Sequence, residues 1–443
     1  MYSSSIKKKL SSAKADVGDY ILVKLKDREF KGILMPRASG GEDILVIKMD
    51  NGYNIGLLDS KDLSISLLNK MEKKKQEKEK EEQKGDITIL GCGGTISSKV
   101  EYRTGAVFPV ITPKELENAF PSLKKISSIG AKNLFSLLSE DFNSKHWKKI
   151  AEAVSDEIKD GRKGLVLMHG TDTMGYTAAA LSFMLQNLPV PVILVGAQRS
   201  SDRPSSENEM NLLNSVLAAR KSDIAEVGVC MHANTNDDFC YLHRGTRVRK
   251  MHTSRRDAFK SINSKPLAVL DYRENKIEPL IEYSKRDEKR KLKLESKINE
   301  NVAMVYSHPN IKPSFIEGLK DYDGVVLVGT GLGHIPSNPF NDKQAKSLFP
   351  AVKNLIDSDI PVVMSSQTIY GRLHMSVYTT GRLLNEAGVI GHEADWTPET
   401  AFVKLSWVLG RTKKMKEIKK LMMTNIAGEI SDRSMIYGGD KEW

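Results

Sequence analysis

The chain has 443 residues, enough to bury one or more sizeable cores, and domains of about 100–200 residues would divide it into two to four units. No apolar run reaches the roughly 18–20 residues of a bilayer span, and MYSSSIKKKL is followed by no apolar signal segment, so we expect a cytoplasmic protein that contacts no membrane. The formal net charge of +11 suits either a polyanion such as RNA or a lysine-rich solvated surface, because no aromatic RNA-binding motif accompanies it.

Residues 1–68 are predicted to form a small all-β domain. Apolar, β-prone segments lie close together at 20–26, 30–35, 44–49 and 53–58, and Asp50-Asn51-Gly52 between the last two is a strong hairpin signal. Four or five short antiparallel strands indicate an SH3-like barrel or a meander. The segment has no group of residues suited to catalysis, so we expect it to bind a partner or dock on its neighbour.

A mixed-charge run at 69–85, with almost no apolar residue, is the clearest domain boundary and is interpreted as an exposed helix or flexible linker. Beyond it, glycine-bounded apolar segments alternate with helical stretches such as 207–220. The apolar segments lie at 87–90, 164–168, 192–195 and 227–231. This alternation predicts a larger α/β domain at 86–283, a doubly wound parallel sheet covered on both faces. Ligands of such sheets bind at the carboxyl ends of the strands.

A second charged run, SKRDEKRKLKLESK, lies within residues 284–299. We interpret it as a solvated connector, with an RNA or partner contact as the alternative. Apolar segments at 302–306, 324–328 and 361–364 then resume the earlier rhythm. Residues 300–443 are therefore predicted to form a second, smaller α/β domain.

The first candidate motif is the glycine-rich turn from Gly91 to Ile96, directly after a predicted strand. Its glycines allow a close approach of the backbone to a ligand, and Thr95 presents a hydroxyl there. A phosphate loop is excluded, because there is neither GxxxxGK[ST] nor a helix-opening GxGxxG with a ribose-binding acid. Cys92 could suggest a cysteine amidase, but three cysteines without CxxC or zinc spacing are typical of buried, reduced thiols.

Two further motifs are weak when each is taken alone. His169-Gly170-Thr171-Asp172-Thr173 follows a predicted strand and places two hydroxyls beside a carboxylate, but such a sequence is also typical of an Asx turn or a helix N-cap. Lys250 is one lysine in the basic segment 247–260, and by itself it indicates nothing.

Taken together, these motifs resemble the L-asparaginase/glutaminase family. The shared features are GGTIxS around Thr95, HGTDT around Thr171, GAxR from Gly196 with a following Asn-Leu, and Lys250 nine residues before Phe-Lys-Ser. The resemblance covers about residues 87 to 410, including GTGLG at 329–333 and WTPET at 396–400. It implies an asparaginase-like fold of two α/β domains and an amidohydrolase that takes ammonia from a carboxamide.

The resemblance also implies the roles of individual residues. The catalytic positions are Thr95, Thr171, Asp172 and Lys250. We expect Thr95 to form an acyl-enzyme while the other three relay protons and activate water, although the sequence leaves open which threonine attacks first. Ser139 and Glu140 match the loop that holds the substrate's α-carboxylate and α-ammonium groups, and Gly170 belongs to the same binding set. A surface turn is the alternative for Ser139 and Glu140.

One stretch departs from the family pattern. Asparaginases place a tyrosine on a loop just after the first threonine, where it helps to activate that hydroxyl. The corresponding stretch here is 103–109, with Val107 or Phe108 near the expected position and Tyr102 out of register. Either the base role moves to another group, or the loop becomes competent only with a partner. The second explanation predicts weak glutaminase activity for the isolated chain.

Other details resemble one branch of the family, the D-type subunits of archaeal-type glutamyl-tRNA(Gln) amidotransferases. They are SED at 139–141, GAQRSSDRPS at 196–205, KMHTSRRD at 250–257 and the extra β domain with DNGYNI at 50–55. The resemblance implies a glutaminase that passes ammonia from L-glutamine to a partner, the E-type subunit, which converts Glu-tRNA(Gln) to Gln-tRNA(Gln) with ATP and magnesium. This chain itself would need no cofactor or metal.

The same resemblance implies a homodimer of this chain within a heterotetramer. L-asparagine as a second substrate and a direct contact with tRNA stay open. The alternatives are a free-standing cytoplasmic asparaginase or glutaminase, and a non-catalytic scaffold that kept the fold. The extra β domain and the missing tyrosine count against the first, and the four retained catalytic positions count against the second.

Overall fold

The structure is a computed structural model that describes residues 2–36, 43–50, 53–70, 85–94, 98–101, 106–109, 113–199 and 205–434. Across these residues, no helix is both long enough and apolar enough to cross a bilayer.

The amino-terminal residues form a five-stranded antiparallel sheet, which confirms the predicted small β domain. Its elements are α1 (Ser4–Ser12), β1 (Tyr20–Leu25), β2 (Arg28–Leu34), β3 (Ile44–Lys48), β4 (Asn54–Leu58) and β5 (Leu63–Asn69), with the strands in the order β4-β3-β2-β1-β5. Alternate residues of β1 and β3 are buried under Ile6 and Leu10 of α1, a helix that the sequence did not predict. β3 and β4 pair antiparallel, but Asn51 and Gly52 of the predicted turn lie outside the described residues.

The larger α/β domain follows. Its elements are β6 (Ile87–Gly91), β7 (Ser98–Glu101), β8 (Ala106–Pro109), α2 (Pro113–Ala119), β9 (Ile129–Asn133), α3 (Ser144–Lys159), β10 (Gly164–Met168), α4 (Met174–Met184), β11 (Leu185–Gln186), β12 (Val192–Val195), α5 (Asn208–Lys221), β13 (Val227–His232), β14 (Cys240–Arg244), β15 (Val248–Lys250), β16 (Phe259–Ser261), β17 (Ala268–Asp271) and β18 (Lys276–Pro279). The predicted strands at 164–168 and 192–195 are confirmed at both ends.

The eight-stranded sheet of this domain is mixed rather than parallel throughout. Its order is β18-β17-β14-β13-β12-β10-β6-β9. Five neighbouring strands, β9, β6, β10, β12 and β13, are parallel to one another, but β14, β17 and β18 pair antiparallel. The four strands predicted from the sequence are parallel, as expected. The antiparallel part was not predicted, and it begins where the short loop 233–239 returns the chain directly beside β13 without a crossover helix.

The central strands are buried on both faces, as the continuous apolar runs predict. On β10, Leu165 and Leu167 face one apolar cluster, and Val166 and Met168 face another on the opposite side. The first cluster continues into the smaller domain, because α4 packs against helix α9 (Pro398–Leu409) of that domain and the rings of Phe183 and Trp407 lie 5.8 Å apart. The two α/β domains therefore share one continuous core.

The smaller domain is built on the three-stranded parallel sheet β20-β21-β22. Its elements are β20 (Val302–Tyr306), α6 (Pro313–Glu317), β21 (Gly324–Gly329), α7 (Phe349–Asp357), β22 (Val362–Ser366), α8 (Thr379–Glu386), α9 (Pro398–Leu409) and α10 (Met415–Met423). The three predicted strands of this domain are confirmed.

The sequence predicts that the charged run before β20 is a solvated connector. In the structure, parts of this run pack against the protein. Its short strand β19 (Lys293–Leu294) pairs with β11, and Leu292 packs on the shared core. Arg286 donates to the backbone carbonyls of Lys163, Ala219 and Ser222 at 2.8–3.1 Å. The high charge of the run does not reveal this packing. An arginine can bind backbone carbonyl oxygens of the neighbouring domain while the lysines beside it stay exposed.

Candidate active site

Two glycine-containing turns lie against each other at the carboxyl edge of the sheet. They follow the parallel neighbours β6 and β10, on which Gly91 pairs with Met168. Gly94 has φ +86°, and a Cβ atom on it would stand 2.5 Å from the backbone nitrogen of Gly170. Only glycine allows this approach. Thr95, the residue after Gly94, lies outside the described residues, so its role stays a prediction.

Thr171, Asp172 and Lys250 come together beside these turns. Lys250 ends β15, and its Nζ lies 2.9 Å from Oγ1 of Thr171 and 2.8 Å from Oδ1 of Asp172. An ammonium group can only donate, so both oxygens accept from Lys250 and the Thr171 hydroxyl keeps its own proton to donate elsewhere. The Lys250 side chain is 15% exposed and that of Asp172 is 65% exposed, so the group opens to solvent on one side.

The loop that carries Ser139 and Glu140 is fastened directly to the Thr171 turn. The amide of Asp172 donates to Oγ of Ser139 at 3.3 Å, and Oγ1 of Thr173 donates to the Ser139 carbonyl at 2.5 Å. A Cβ on Gly170 would stand 2.7 Å from Cβ of Ser139, so glycine is required there too. Ser139 is buried and Glu140 is exposed, which places one hydroxyl inside the site and one carboxylate at its rim.

A series of hydrogen-bonded buried side chains packs against the turn that contains Gly170 and Thr171, and the sequence did not predict it. Nδ1 of His169 lies 2.7 Å from the Gly170 carbonyl, and Nε2 lies 3.0 Å from Oγ1 of Thr177. Nε1 of Trp147 donates to the same Thr177 oxygen at 3.1 Å. Burial lowers the pKa of His169 to about 4, although the bond to Gly170 opposes that shift. Trp147 and Thr177 belong to α3 and α4, and no motif spacing in the sequence connects them.

The strand that carries Lys250 is held by the smaller domain. Arg247 is buried and donates to the carboxylate of Asp395 at 3.2 Å and to the Gly428 carbonyl at 2.7 Å. Arg249 pairs with Glu399 at 3.2 Å. The position of Lys250 therefore depends on contacts between the domains as well as on β15 itself.

The cysteines do not take part in this site as nucleophiles. All three are buried and free of disulfides, as expected. Burial raises the pKa of the Cys92 thiol far above its ordinary value, so the reactive thiolate is disfavoured. In the described part of the chain, no three His, Cys, Asp or Glu side chains are grouped so that they could hold a metal ion.

Two short strands, β7 and β8, flank residues 102–105, in the stretch where the family pattern predicts a loop tyrosine. β7 and β8 pair antiparallel, with Val100 opposite Val107 and Lys99 opposite Phe108. Tyr102 and residues 103–105 lie outside the described residues. Which group stands where the tyrosine would be therefore stays a prediction.

The chain matches three family models. The model described as asparaginase, N-terminal, matches residues 86–282, the glutaminase/asparaginase C-terminal domain matches 301–422, and the GatD N-terminal domain matches 15–68. Together they span the three folded regions described above.

Curated relatives match over nearly the whole chain. A protein of Methanobrevibacter smithii, named as the D-type subunit of glutamyl-tRNA(Gln) amidotransferase, is 46% identical over 98% of both chains. Its namesake in Pyrococcus furiosus is 49% identical over 94% of this chain and 95% of its own. Among solved structures, the thermostable L-asparaginase of Thermococcus kodakarensis has a TM-score of 0.69 and 31% identity, covering 78% of this chain and 99% of its own. L-asparaginase I of Vibrio cholerae has a TM-score of 0.65 and 28% identity, covering 78% and 98%.

Proposed function

Because this chain belongs to the asparaginase/glutaminase family, in the branch of the D-type subunits of glutamyl-tRNA(Gln) amidotransferases, we propose that it hydrolyses L-glutamine to supply ammonia for amidation of Glu-tRNA(Gln). The amidohydrolase role within a tRNA-dependent amidotransferase follows from that membership. The observation that carries the chemical proposal is Lys250 Nζ, which bonds Thr171 and Asp172 together at the carboxyl edge of the sheet.

Hydrolysis of an amide needs a nucleophile, a proton acceptor and donors for the developing oxyanion. We assign the acyl-enzyme to Thr95, which follows Gly94 in the chain, and Gly94 touches Gly170. Thr171 would then activate the water that releases glutamate, with Lys250 accepting and returning the hydroxyl proton. Lys250 can do so only after its ammonium has passed a proton to the carboxylate of Asp172, which lies 2.8 Å away and returns that proton at the end of the step. Asp172 orients the ammonium of Lys250 through the 2.8 Å contact. Trapping of an acyl adduct on Thr171 instead of Thr95 would overturn this assignment.

Substrate recognition falls to the loop beside the Thr171 turn. Ser139 presents its hydroxyl inside the site for the α-carboxylate, and Gly170 can offer its amide to the same group. Glu140 is exposed at the rim, where a carboxylate can attract the α-ammonium group of glutamine. Asparagine carries the same two groups, so the proposal leaves discrimination to the length of the side chain.

A partner protein is proposed to complete the active enzyme. The relatives' name implies a second subunit and a tRNA substrate, and we propose an E-type subunit that activates Glu-tRNA(Gln) with ATP and magnesium. A heterotetramer built on a dimer of this chain, the absence of any cofactor of its own and a cytoplasmic location are parts of the same proposal. Since no tyrosine stands in the family's register near Val107, we propose that the loop in this stretch becomes competent only in the complex.

The test is ammonia release from glutamine by the chain alone, with its candidate E-type subunit, and with that subunit plus Glu-tRNA(Gln). The proposal predicts a weak rate that rises at each addition. Thr171→Val and Lys250→Ala should lower the rate in the full complex by about 1,000-fold or more, since each acts in one catalytic unit. Lys353→Ala, an exposed lysine on α7, is the control. Full activity of the chain alone would favour a free-standing amidohydrolase, and unchanged rates in both variants would favour a scaffold.

A further inference from the structure

A line of three buried side chains runs from α3 through α4 to the backbone of the proposed catalytic turn. Trp147, Thr177 and His169 are 6%, 0% and 1% exposed. Their hydrogen bonds of 3.1, 3.0 and 2.7 Å end on the carbonyl oxygen of Gly170, the residue before Thr171. None of the three side chains reaches the group formed by Thr171, Asp172 and Lys250 directly.

The donor chemistry fixes the direction of every bond in this line. An indole N–H can only donate and a backbone carbonyl can only accept, so Thr177 accepts from Trp147 and His169 donates to Gly170. The donor to Gly170 must be Nδ1–H, which leaves Nε2 without a proton in the neutral ring. The hydroxyl of Thr177 therefore donates to Nε2 of His169. Only one arrangement of the hydrogens satisfies all four groups.

The carbonyl at the end of this line belongs to the peptide unit that also contains the Thr171 amide. In a trans peptide the C=O of one residue and the N–H of the next point in opposite directions, and the described chain contains no cis peptide. Fixing the Gly170 carbonyl toward His169 therefore turns the Thr171 N–H away from the core. Within the described part of the chain, no acceptor takes a hydrogen bond from that amide.

We propose that Trp147, Thr177 and His169 are positioning residues that aim the Thr171 amide at the reacting carbonyl oxygen of the substrate. The proposal rests on the proposed glutaminase function and deepens it. A backbone N–H held in place before the substrate arrives stabilises the developing oxyanion without reorganisation during the reaction. The line would thus assist the transition state while contributing little to glutamine binding.

The decisive variant is Thr177→Val, which removes the hydroxyl and keeps the shape of the side chain. It leaves Trp147 and His169 without their shared partner. We expect kcat for glutamine hydrolysis in the full complex to fall about tenfold or more, with KM within about twofold of the wild-type value. Thr177→Ser restores the hydroxyl and should recover at least about half of the lost kcat. Trp147→Phe removes only the outermost donor and should have a smaller effect on kcat.

The matched control is Ser182→Ala on the same helix. Its hydroxyl donates to the Ala178 carbonyl at 2.7 Å and has no connection to Gly170. We expect its kcat to equal that of the wild type. A lower unfolding temperature in Thr177→Val with unchanged kcat would reduce the line to a structural role and overturn the proposal. A raised KM with unchanged kcat would also overturn it, because the line would then act on substrate binding.

A second measurement is independent of activity. Nitrogen NMR of protein with isotope-labelled histidine reports the protonated ring nitrogen, and His169→Gln assigns the signal of His169. We expect Nδ1 protonated and Nε2 bare at about pH 7. An Nε2–H tautomer would contradict the direction of the line whatever the kinetics. A wild-type complex that releases no ammonia would refute the proposed function and, with it, the positioning role of the three residues. The tautomer of His169 would still show which groups donate and which accept in this series of hydrogen bonds.

Discussion

The guanidinium of Arg247 lies 3.2 Å from the carboxylate of Asp395, and this buried ion pair joins the two α/β domains three residues before Lys250. Both side chains are almost fully buried, at 1% and 3% exposed. Arg247 also donates to Gly428 and Ser431, so one side chain ties the strand of Lys250 to the carboxyl-terminal segment. The proposed active site is therefore assembled across the domain boundary.

Asp395→Asn should destabilise the protein by about 3–5 kcal/mol, because it leaves the charge of Arg247 buried without its partner. The measurement is the unfolding midpoint in urea at neutral pH. Asp357→Asn is the control, since its pair with Lys353 is about half exposed and should contribute less than about 1 kcal/mol. Equal shifts in the two variants would mean that the buried pair does not hold the domains together.

Gly94→Ala should abolish most ammonia release, by about 100-fold or more, because its Cβ would displace Gly170 and the turn after it. Gly161→Ala provides a matched control. Its φ of +85° is nearly that of Gly94, but no atom lies within 4 Å of the added Cβ. Both variants should lose about 1–2 kcal/mol of stability from backbone strain, and only Gly94→Ala should lose activity in the full complex. Equal activities would show that the contact between the turns is dispensable.

Much of the fold could be predicted from short apolar segments bounded by glycine. The strands at 164–168, 192–195 and 302–306 were predicted at both ends, because buried parallel strands leave a continuous apolar run. The antiparallel strands β14, β17 and β18 were not predicted, because each of these short segments contains a charged residue and none is a continuous apolar run bounded by glycine.

The motifs after β6 and β10 could be found because each is continuous in sequence. Gly94 belongs to the first motif and Gly170, which it contacts, belongs to the second. The contribution of Trp147 and Thr177 could not be found. Each lies on a helix where an apolar neighbour would fit the same pattern, and only the tertiary structure brings them to His169. The same applies to Asp395, 148 residues from its partner Arg247 along the chain.

Glu140→Gln should raise the KM for glutamine about tenfold and leave kcat nearly unchanged, since it removes an attraction present in the bound substrate and the transition state alike. The reason is that Glu140 carries an exposed carboxylate, which we propose attracts the α-ammonium group of glutamine. Asp141→Asn removes an adjacent exposed carboxylate of the same turn and should leave KM unchanged. The measurement is the steady-state rate of the full complex as a function of glutamine concentration, for each variant. Identical KM values for the two variants would refute the role of Glu140.

Stability should fall as the pH drops from about 6.5 to about 4, in part because of His169. Its pKa is lowered to about 4 by burial, so in this window the unfolded chain binds a proton that the native ring does not. The stability is complete above the ordinary pKa and is lost progressively as the pH approaches the lowered value, by roughly 2–3 kcal/mol. His169→Gln should show a correspondingly smaller loss in urea unfolding between these pH values. The same loss in both proteins would mean that His169 does not stay neutral.

The most direct test follows the amide nitrogen itself. The complex of this chain with its E-type subunit is given Glu-tRNA(Gln), ATP, magnesium and amide-labelled glutamine, and mass spectrometry measures label in Gln-tRNA(Gln). The account predicts labelled product with the wild-type chain, none with Lys250→Ala, and restored amidation in that variant when ammonium salt replaces glutamine. Labelled product from the Lys250→Ala complex would contradict the proposed site, and failure of ammonium to restore the reaction would contradict the assignment of this chain as the supplier of ammonia.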